Sequence, residues 1–298
     1  MKTIKELINE SLTEVAASRE ILREANMTRV YKDHPDLKEI DDQIVQIRGS
    51  RFIAVIDKDE KLMRRCDISE EELRVKRDRL IKIYQIDPDF DSVKSICDKC
   101  DDTGYCKGSD GTVKVCQCRK NELEAGYEYA GMKDFSSYKM KNYRDDFLGD
   151  ASGRKKIKNE LLKVMLGLED TGDKSPLWVY YAAPQSGKTF LSVCVCKTAI
   201  NLGKSVYYVK LEDMQNLGTD TIEDLKHIDF LMIDDFVDSV TLFNNIGSVL
   251  NGILEVRAAA KLPTVLISPF PKSELVSKCD MRISGKLSSA GTIAKDNR

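Results

Sequence analysis

The feature that most restricts this fold is a junction near the middle of the chain. Five consecutive apolar residues, Leu177–Tyr181, run into Ala182-Ala183-Pro184-Gln185-Ser186-Gly187-Lys188-Thr189-Phe190, and a helical pattern follows to about residue 202. An apolar strand that turns through Gly-Lys-Thr into a helix is the setting of a phosphate-binding loop. Backbone N–H groups of such a loop wrap a β-phosphate, and the helix N-terminus adds a favourable dipole. Lys188 would bring a mobile positive charge to the terminal phosphates, and Thr189 stands where a hydroxyl ligates magnesium. Residues 182–190 are therefore the candidate contacts for ATP and Mg2+. The pattern G-x-x-x-x-G-K-[ST] asks for glycine at 182, where this chain has Ala182. Alanine adopts a positive φ only at a cost, so a reshaped loop or weaker binding is expected.

A second acidic signal lies about 45 residues further on. Phe230-Leu231-Met232-Ile233-Asp234-Asp235 is an apolar strand ending in two carboxylates. Asp234 would hold the magnesium, and Asp235 would orient or deprotonate an attacking water. A solvated turn after a strand is the competing reading of the same residues.

Strand-like runs at Leu177–Tyr181, Val206–Val209, Phe230–Ile233 and Thr264–Ile267 alternate with helical stretches near 188–202, 211–216 and 241–260. This alternation predicts an α/β domain with a parallel sheet over residues 151–298. Residues 1–96 read as helical, with Ile4, Leu7, Ile8, Leu12 and Val15 at helical spacing. Ser69 with Glu72 is the expected capping box before Leu73, Leu80, Ile81 and Tyr84. Residues 119–150 read as a linker with some helix.

Between these regions lie five of the nine cysteines. Cys97 and Cys100 form a C-x-x-C pair; Cys116 and Cys118 form a C-x-C pair after fifteen intervening residues. Two short pairs flanking a glycine-containing loop can present four thiolates to one tetrahedral Zn2+. Cys106 is a fifth candidate, and His34 and His227 lie far away. With four protein ligands the metal would be structural and would staple a module too small for its own core. A redox pair or free thiols are the alternatives. Residues 97–118 thus form a third region, a cysteine knuckle.

Nothing at the start reads as a secretory signal, and no run approaches the ~18 apolar residues that span a bilayer. A cytoplasmic protein with no membrane partner is expected, where clustered cysteines point to metal before disulfides. The net charge of −2 gives no global basic field, so any nucleic-acid contact must be local. Arg154, Lys155, Lys156 and Lys158 form one basic cluster, and Arg74, Lys76, Arg77, Arg79 and Lys82 another. A solvated helix face is the simpler reading of each. Tyr207 and Tyr208 could stack bases or fill strand core.

Together these residues resemble the DnaC/DnaI-type replicative helicase loaders, with an IstB-like ATP-binding core. The resemblance is carried by Tyr31–Asp41, by Cys97-x-x-Cys100-x-Asp102-Thr103-Gly104-Tyr105 with Cys116-x-Cys118, and by the phosphate loop with Asp234-Asp235. Leu262-Pro263-Thr264 and the ending Ala294–Arg298 add to it. It implies an AAA+ domain over 151–298, and helices and a knuckle that dock on the replicative DNA helicase. It also implies binding of single-stranded DNA and ATP-dependent self-assembly. Arg282 matches the place of an arginine finger, with Lys286 or Arg298 as alternative nucleotide-sensing cations. Gln185 stands where relatives often have glycine, and Pro269 where they usually have a water-polarising asparagine; Ser268 could substitute in part. These departures point to slow turnover. Two other readings stay open: a transposition-helper ATPase, which generally lacks such a knuckle, and a zinc-bearing adaptor that binds nucleotide with little or no hydrolysis.

Overall fold

In the computed structural model, residues 2–109, 111–144, 151–167, 175–237 and 246–294 are described. The apolar runs become neighbours in one sheet. The strands are β3 (Leu177–Tyr181), β4 (Val206–Lys210), β5 (Phe230–Asp234), β6 (Thr264–Ser268) and β7 (Gly291–Ala294). Their order is β4-β5-β6-β3-β7. Every pairing is parallel, with Tyr181 opposite Ser268 and Lys210 opposite Asp234. All five residues of β5 and of β6 are buried. Strands covered on both faces lose the polar alternation of a half-exposed strand, which is why they read as continuous apolar runs.

The covering helices are α5 (Ala151–Leu166), α6 (Lys188–Asn201), α7 (Thr219–Leu225), α8 (Ile246–Ala259), α9 (Lys272–Lys278) and α10 (Met281–Ser289). The helix expected over 241–260 is present from Ile246; positions 241–245 lie outside the described residues. Residues 211–216 form a 3-10 turn. Leu231, Ile233, Leu250, Ile253, Leu266, Ile283 and Leu287 meet in the main core, each contributing on the order of 1.5–3 kcal/mol. This is an α/β arrangement built on a five-stranded parallel sheet and preceded by helices.

Two compact units are present: Leu12–Asp102, and Met1–Ser11 together with Thr103–Arg298. The first unit holds most of α1 (Ile4–Asp33), with α2 (Pro35–Ile56) and α3 (Glu60–Tyr84). α2 and α3 run antiparallel, fastened by the ion pairs Arg48–Glu70, Arg51–Asp67 and Arg77–Asp41. Val30, Leu37, Ile81 and Phe90 form its small core. The expected capping box at Ser69 and Glu72 is overturned, because both residues lie inside α3. The helix starts ten residues earlier, where the Asp59 carboxylate accepts the N–H of Leu62. A side-chain oxygen caps only N–H groups left without an intrahelical partner, and those sit at the true first turn.

The second unit begins with Ile4 and Ile8, both buried. It continues with the hairpin β1 (Tyr105–Lys107) and β2 (Val113–Val115) and then α4 (Lys120–Tyr129). Short 3-10 turns at Lys133–Phe135 and Met140–Asn142 follow.

Candidate functional site

A parallel sheet brings the C-terminal ends of its strands to one edge, so the loop after β3 and the end of β5 face the same crevice. Gly187 caps α6 with φ 82°, and Gln185 has φ 60°. Ala182 is not among the positive-φ residues. It is 1 % exposed, and its N–H donates to the Ser268 carbonyl at 3.3 Å. The strain expected at Ala182 is therefore absent there. Alanine fits because the backbone at 182 still runs with the sheet, and the left-handed cost of about 1 kcal/mol falls on Gln185 instead. Within the loop the Ser186 hydroxyl is buried and has no hydrogen-bond partner among the described residues. An orphaned donor beside the N-terminus of α6 suits an anionic ligand.

Asp234 is fully buried at the end of β5. Its Oδ2 accepts the Thr189 hydroxyl at 2.8 Å and the Tyr208 hydroxyl at 2.6 Å, and its Oδ1 accepts the Asp235 N–H at 2.7 Å. Burial, followed by the charge of Asp234, pushes the Tyr208 phenol well above its ordinary value, so it stays a donor. Asp235 has φ 53° and lies 4.0 Å from Lys210. Partial desolvation and the adjacent charge of Asp234 raise its carboxyl above the usual aspartate value. The 182–190 loop and Asp234 are therefore placed where they could hold a nucleotide and its cation. The cation would supply charge neutralisation at the terminal phosphates.

Two contributors were not legible as such. Arg154 on α5 is 4 % exposed and donates from Nη2 to the Ser186 carbonyl at 2.7 Å. It leaves the basic cluster in which the sequence placed it, while Lys155 and Lys156 are exposed. Its signal was its spacing: Arg154, Ile157 and Leu161 share one helix face, and all are buried. Tyr208 is buried on β4, and Tyr207 is partly buried and packs against the main core. The Phe190 ring lies 4.6 Å from Tyr138 and 6.2 Å from Tyr143.

Other expected residues lie apart. Arg282 is exposed in the first turn of α10, where its backbone N–H donates to Asp280; among the described residues no hydrogen bond or ion pair ties its side chain to the loop. Lys286 pairs with Glu255 at 3.3 Å, and Arg298 lies outside the described residues. The Ser268 hydroxyl is buried and accepts the Phe270 N–H at 3.1 Å. In the second basic cluster, Arg77 is spent on Asp41 and Asp91, and Arg74 on Glu70.

The four cysteines of the knuckle come together. One ligand atom each from Cys97, Cys100, Cys116 and Cys118 lies within 4.8 Å of the others. Zinc–sulfur bonds of about 2.3 Å imply sulfur–sulfur edges near 3.8 Å, so this donor set fits a tetrahedral Zn2+ with little adjustment. Cys106 sits on β1 opposite Lys114 and is not in the cluster. The Asp102 carboxylate accepts the N–H groups of Ile96 and Cys97, both at 2.8 Å, and pairs with Arg19 at 3.4 Å. Arg119, next to Cys118, donates to the Ser11 hydroxyl at 2.9 Å. Among the described residues no helix is long and apolar enough to cross a membrane.

No family model matches the chain. It is similar to the replicative helicase loader DnaC of Escherichia coli K12, at 20% identity over 182 residues, covering 57% of this chain and 71% of DnaC. Among solved structures, a DnaI crystal structure overlaps 49% of this chain and 84% of its own, at 19% identity and TM-score 0.40. A DnaC helicase loader overlaps 55% and 99%, at 14% identity and TM-score 0.42. AMPPCP-bound DnaA from Aquifex aeolicus overlaps 54% and 50%, at 15% identity and TM-score 0.41.

Proposed function

We propose that this chain, which resembles the DnaC/DnaI-type loaders, is an ATP-binding helicase loader acting in replication initiation. In this reading it docks on the replicative DNA helicase through its N-terminal helices and knuckle. It promotes loading of that helicase on single-stranded DNA, and it assembles with its own copies when ATP is bound. Its place of action is the cytoplasm. The observation that carries the reading is the hydrogen bond from Thr189 to Asp234. It joins the Gly-Lys-Thr loop to the acidic strand end, the pairing that a magnesium–nucleotide switch requires. The cysteine cluster is a structural Zn2+ site in this account, and it weighs against a transposition helper.

The test is co-purification with the cognate replicative helicase, with and without ATP, for the parent chain and for Lys188→Ala. Retention of the helicase by the parent, with a nucleotide response that Lys188→Ala abolishes, is the expected result. Failure of the full chain to retain the helicase under any nucleotide condition refutes the loader reading.

A second reading, an adaptor that binds ATP without productive turnover, is favoured by Pro269 and by the engagement of the Ser268 hydroxyl with Phe270. DNA-stimulated ATP turnover that disappears in Asp235→Asn would remove it. Nucleotide binding with no turnover above the Lys188→Ala blank would put it first.

A further inference from the structure

Among the described residues, three hydrogen bonds hold the Asp234 carboxylate. Two come from groups that flank the position of a nucleotide-bound cation, the Thr189 hydroxyl and the Asp235 N–H. The third comes from Tyr208, one strand away on β4, and has no such duty. Tyr208 is itself fastened from outside the sheet. Its backbone N–H donates to the Ala130 carbonyl at 2.9 Å, and the Phe135 ring meets the Tyr208 ring edge-on at 5.3 Å. Gly131, at φ 78°, passes so close that a Cβ there would lie 2.2 Å from the Tyr208 carbonyl oxygen. The Lys197 ammonium then clamps this segment, donating to the carbonyls of Phe135 at 2.5 Å and Tyr138 at 3.1 Å.

A carboxylate that receives a cation or its water needs a fixed rotamer, and such ligands are held by hydrogen bonds from the surrounding shell. With the Thr189 hydroxyl engaged by a bound cation, Tyr208 would be the side-chain donor remaining on Asp234 among the described residues. We propose that Tyr208 is a positioning residue for the divalent cation: its hydroxyl, held in place by the segment 130–138, fixes the Asp234 carboxylate in the orientation that receives magnesium. This rests on the reading of Asp234 as the magnesium-holding residue. It also gives residues 130–138 a part in nucleotide binding, because their docking on β4 sets where the Tyr208 hydroxyl points.

The experiment is a magnesium titration of the binding of a fluorescent ATP analogue to the full-length chain. Tyr208→Phe should raise the Mg2+ concentration for half-maximal binding about tenfold. Its affinity for the analogue without metal should stay within about twofold of the parent, since phosphate contacts are untouched. A Mg2+ requirement equal to that of the parent overturns the proposal. So does an equal loss with and without metal, which marks general damage. Asp234→Asn separates this failure from failure of the underlying reading: if it leaves the magnesium dependence unchanged, Asp234 is not the magnesium residue and the proposal falls with it. Should Tyr208→Phe not fold, Phe135→Leu keeps the hydroxyl and releases the ring. That variant should raise the requirement by about threefold, and no change in it counts against the proposal.

Discussion

Arg154 donates a 2.7 Å hydrogen bond to the carbonyl of Ser186, at the turn from which the 182–190 loop enters α6. A loop that aims its N–H groups at phosphate turns some carbonyls the other way, and a buried cation is the strongest neutral-pH donor for them. Arg154→Met should therefore weaken ATP binding by about 1.5–3 kcal/mol, which is roughly tenfold to a hundredfold in Kd. Arg154→Lys should recover part of it. Equilibrium titration with labelled ATP checks this, and unchanged affinity in the methionine variant would show that the loop holds its shape without the guanidinium.

The cysteine cluster predicts about one Zn2+ per purified chain. Cys97→Ser and Cys116→Ser should each lose most of the metal, whereas Cys106→Ser should keep it, because Cys106 lies outside the cluster. Metal analysis of the three variants decides between a four-cysteine site and one that uses Cys106. Chelation of the parent should also lower its melting temperature, since metal that binds only the folded state stabilises it.

Gly131→Ala should destabilise the chain by about 2–4 kcal/mol, through a left-handed φ and the close approach to the Tyr208 carbonyl. Thermal unfolding measures the loss. A neutral outcome would mean that residues 130–131 can leave the edge of β4 without cost.

Arg257 on α8 is 1 % exposed and donates to the Thr264 hydroxyl and to the carbonyls of Leu225, Ile228 and Pro263. It ties together the chain entering β5 and β6 at the pole of the sheet away from the loop. Arg257→Met leaves the Leu225 and Ile228 carbonyls and the Thr264 hydroxyl without this donor, while the Pro263 carbonyl keeps the Leu231 N–H, and should cost about 3 kcal/mol. Arg257→Lys should cost less but not be neutral, because an ammonium cannot reproduce the planar fork. Denaturant unfolding provides the measurement, and ATP affinity at the distant loop should be unchanged in the fraction that folds.

The sequence by itself determined the parts of this protein whose physics is local. The apolar runs Leu177–Tyr181, Phe230–Ile233 and Thr264–Ile267 announced buried parallel strands, because a strand covered on both faces has no polar alternation to hide it. Gly-Lys-Thr at 187–189 and the two cysteine pairs were visible because their chemistry requires fixed short spacings. Short β7, reading Gly-Thr-Ile-Ala, carried too little apolar signal to be seen. The start of α3 was misplaced because Ser69 and Glu72 have capping chemistry wherever they stand, and only the fold says which residue meets an open helix end. Tertiary structure alone decided that Gln185, and not Ala182, joins Gly187 in taking left-handed backbone in the loop. It also turned Arg154 inward and set Tyr208 against Asp234, pairs 32 and 26 positions apart. Contacts of that kind depend on sheet order and helix docking, which bring together groups that no sequence spacing marks as partners.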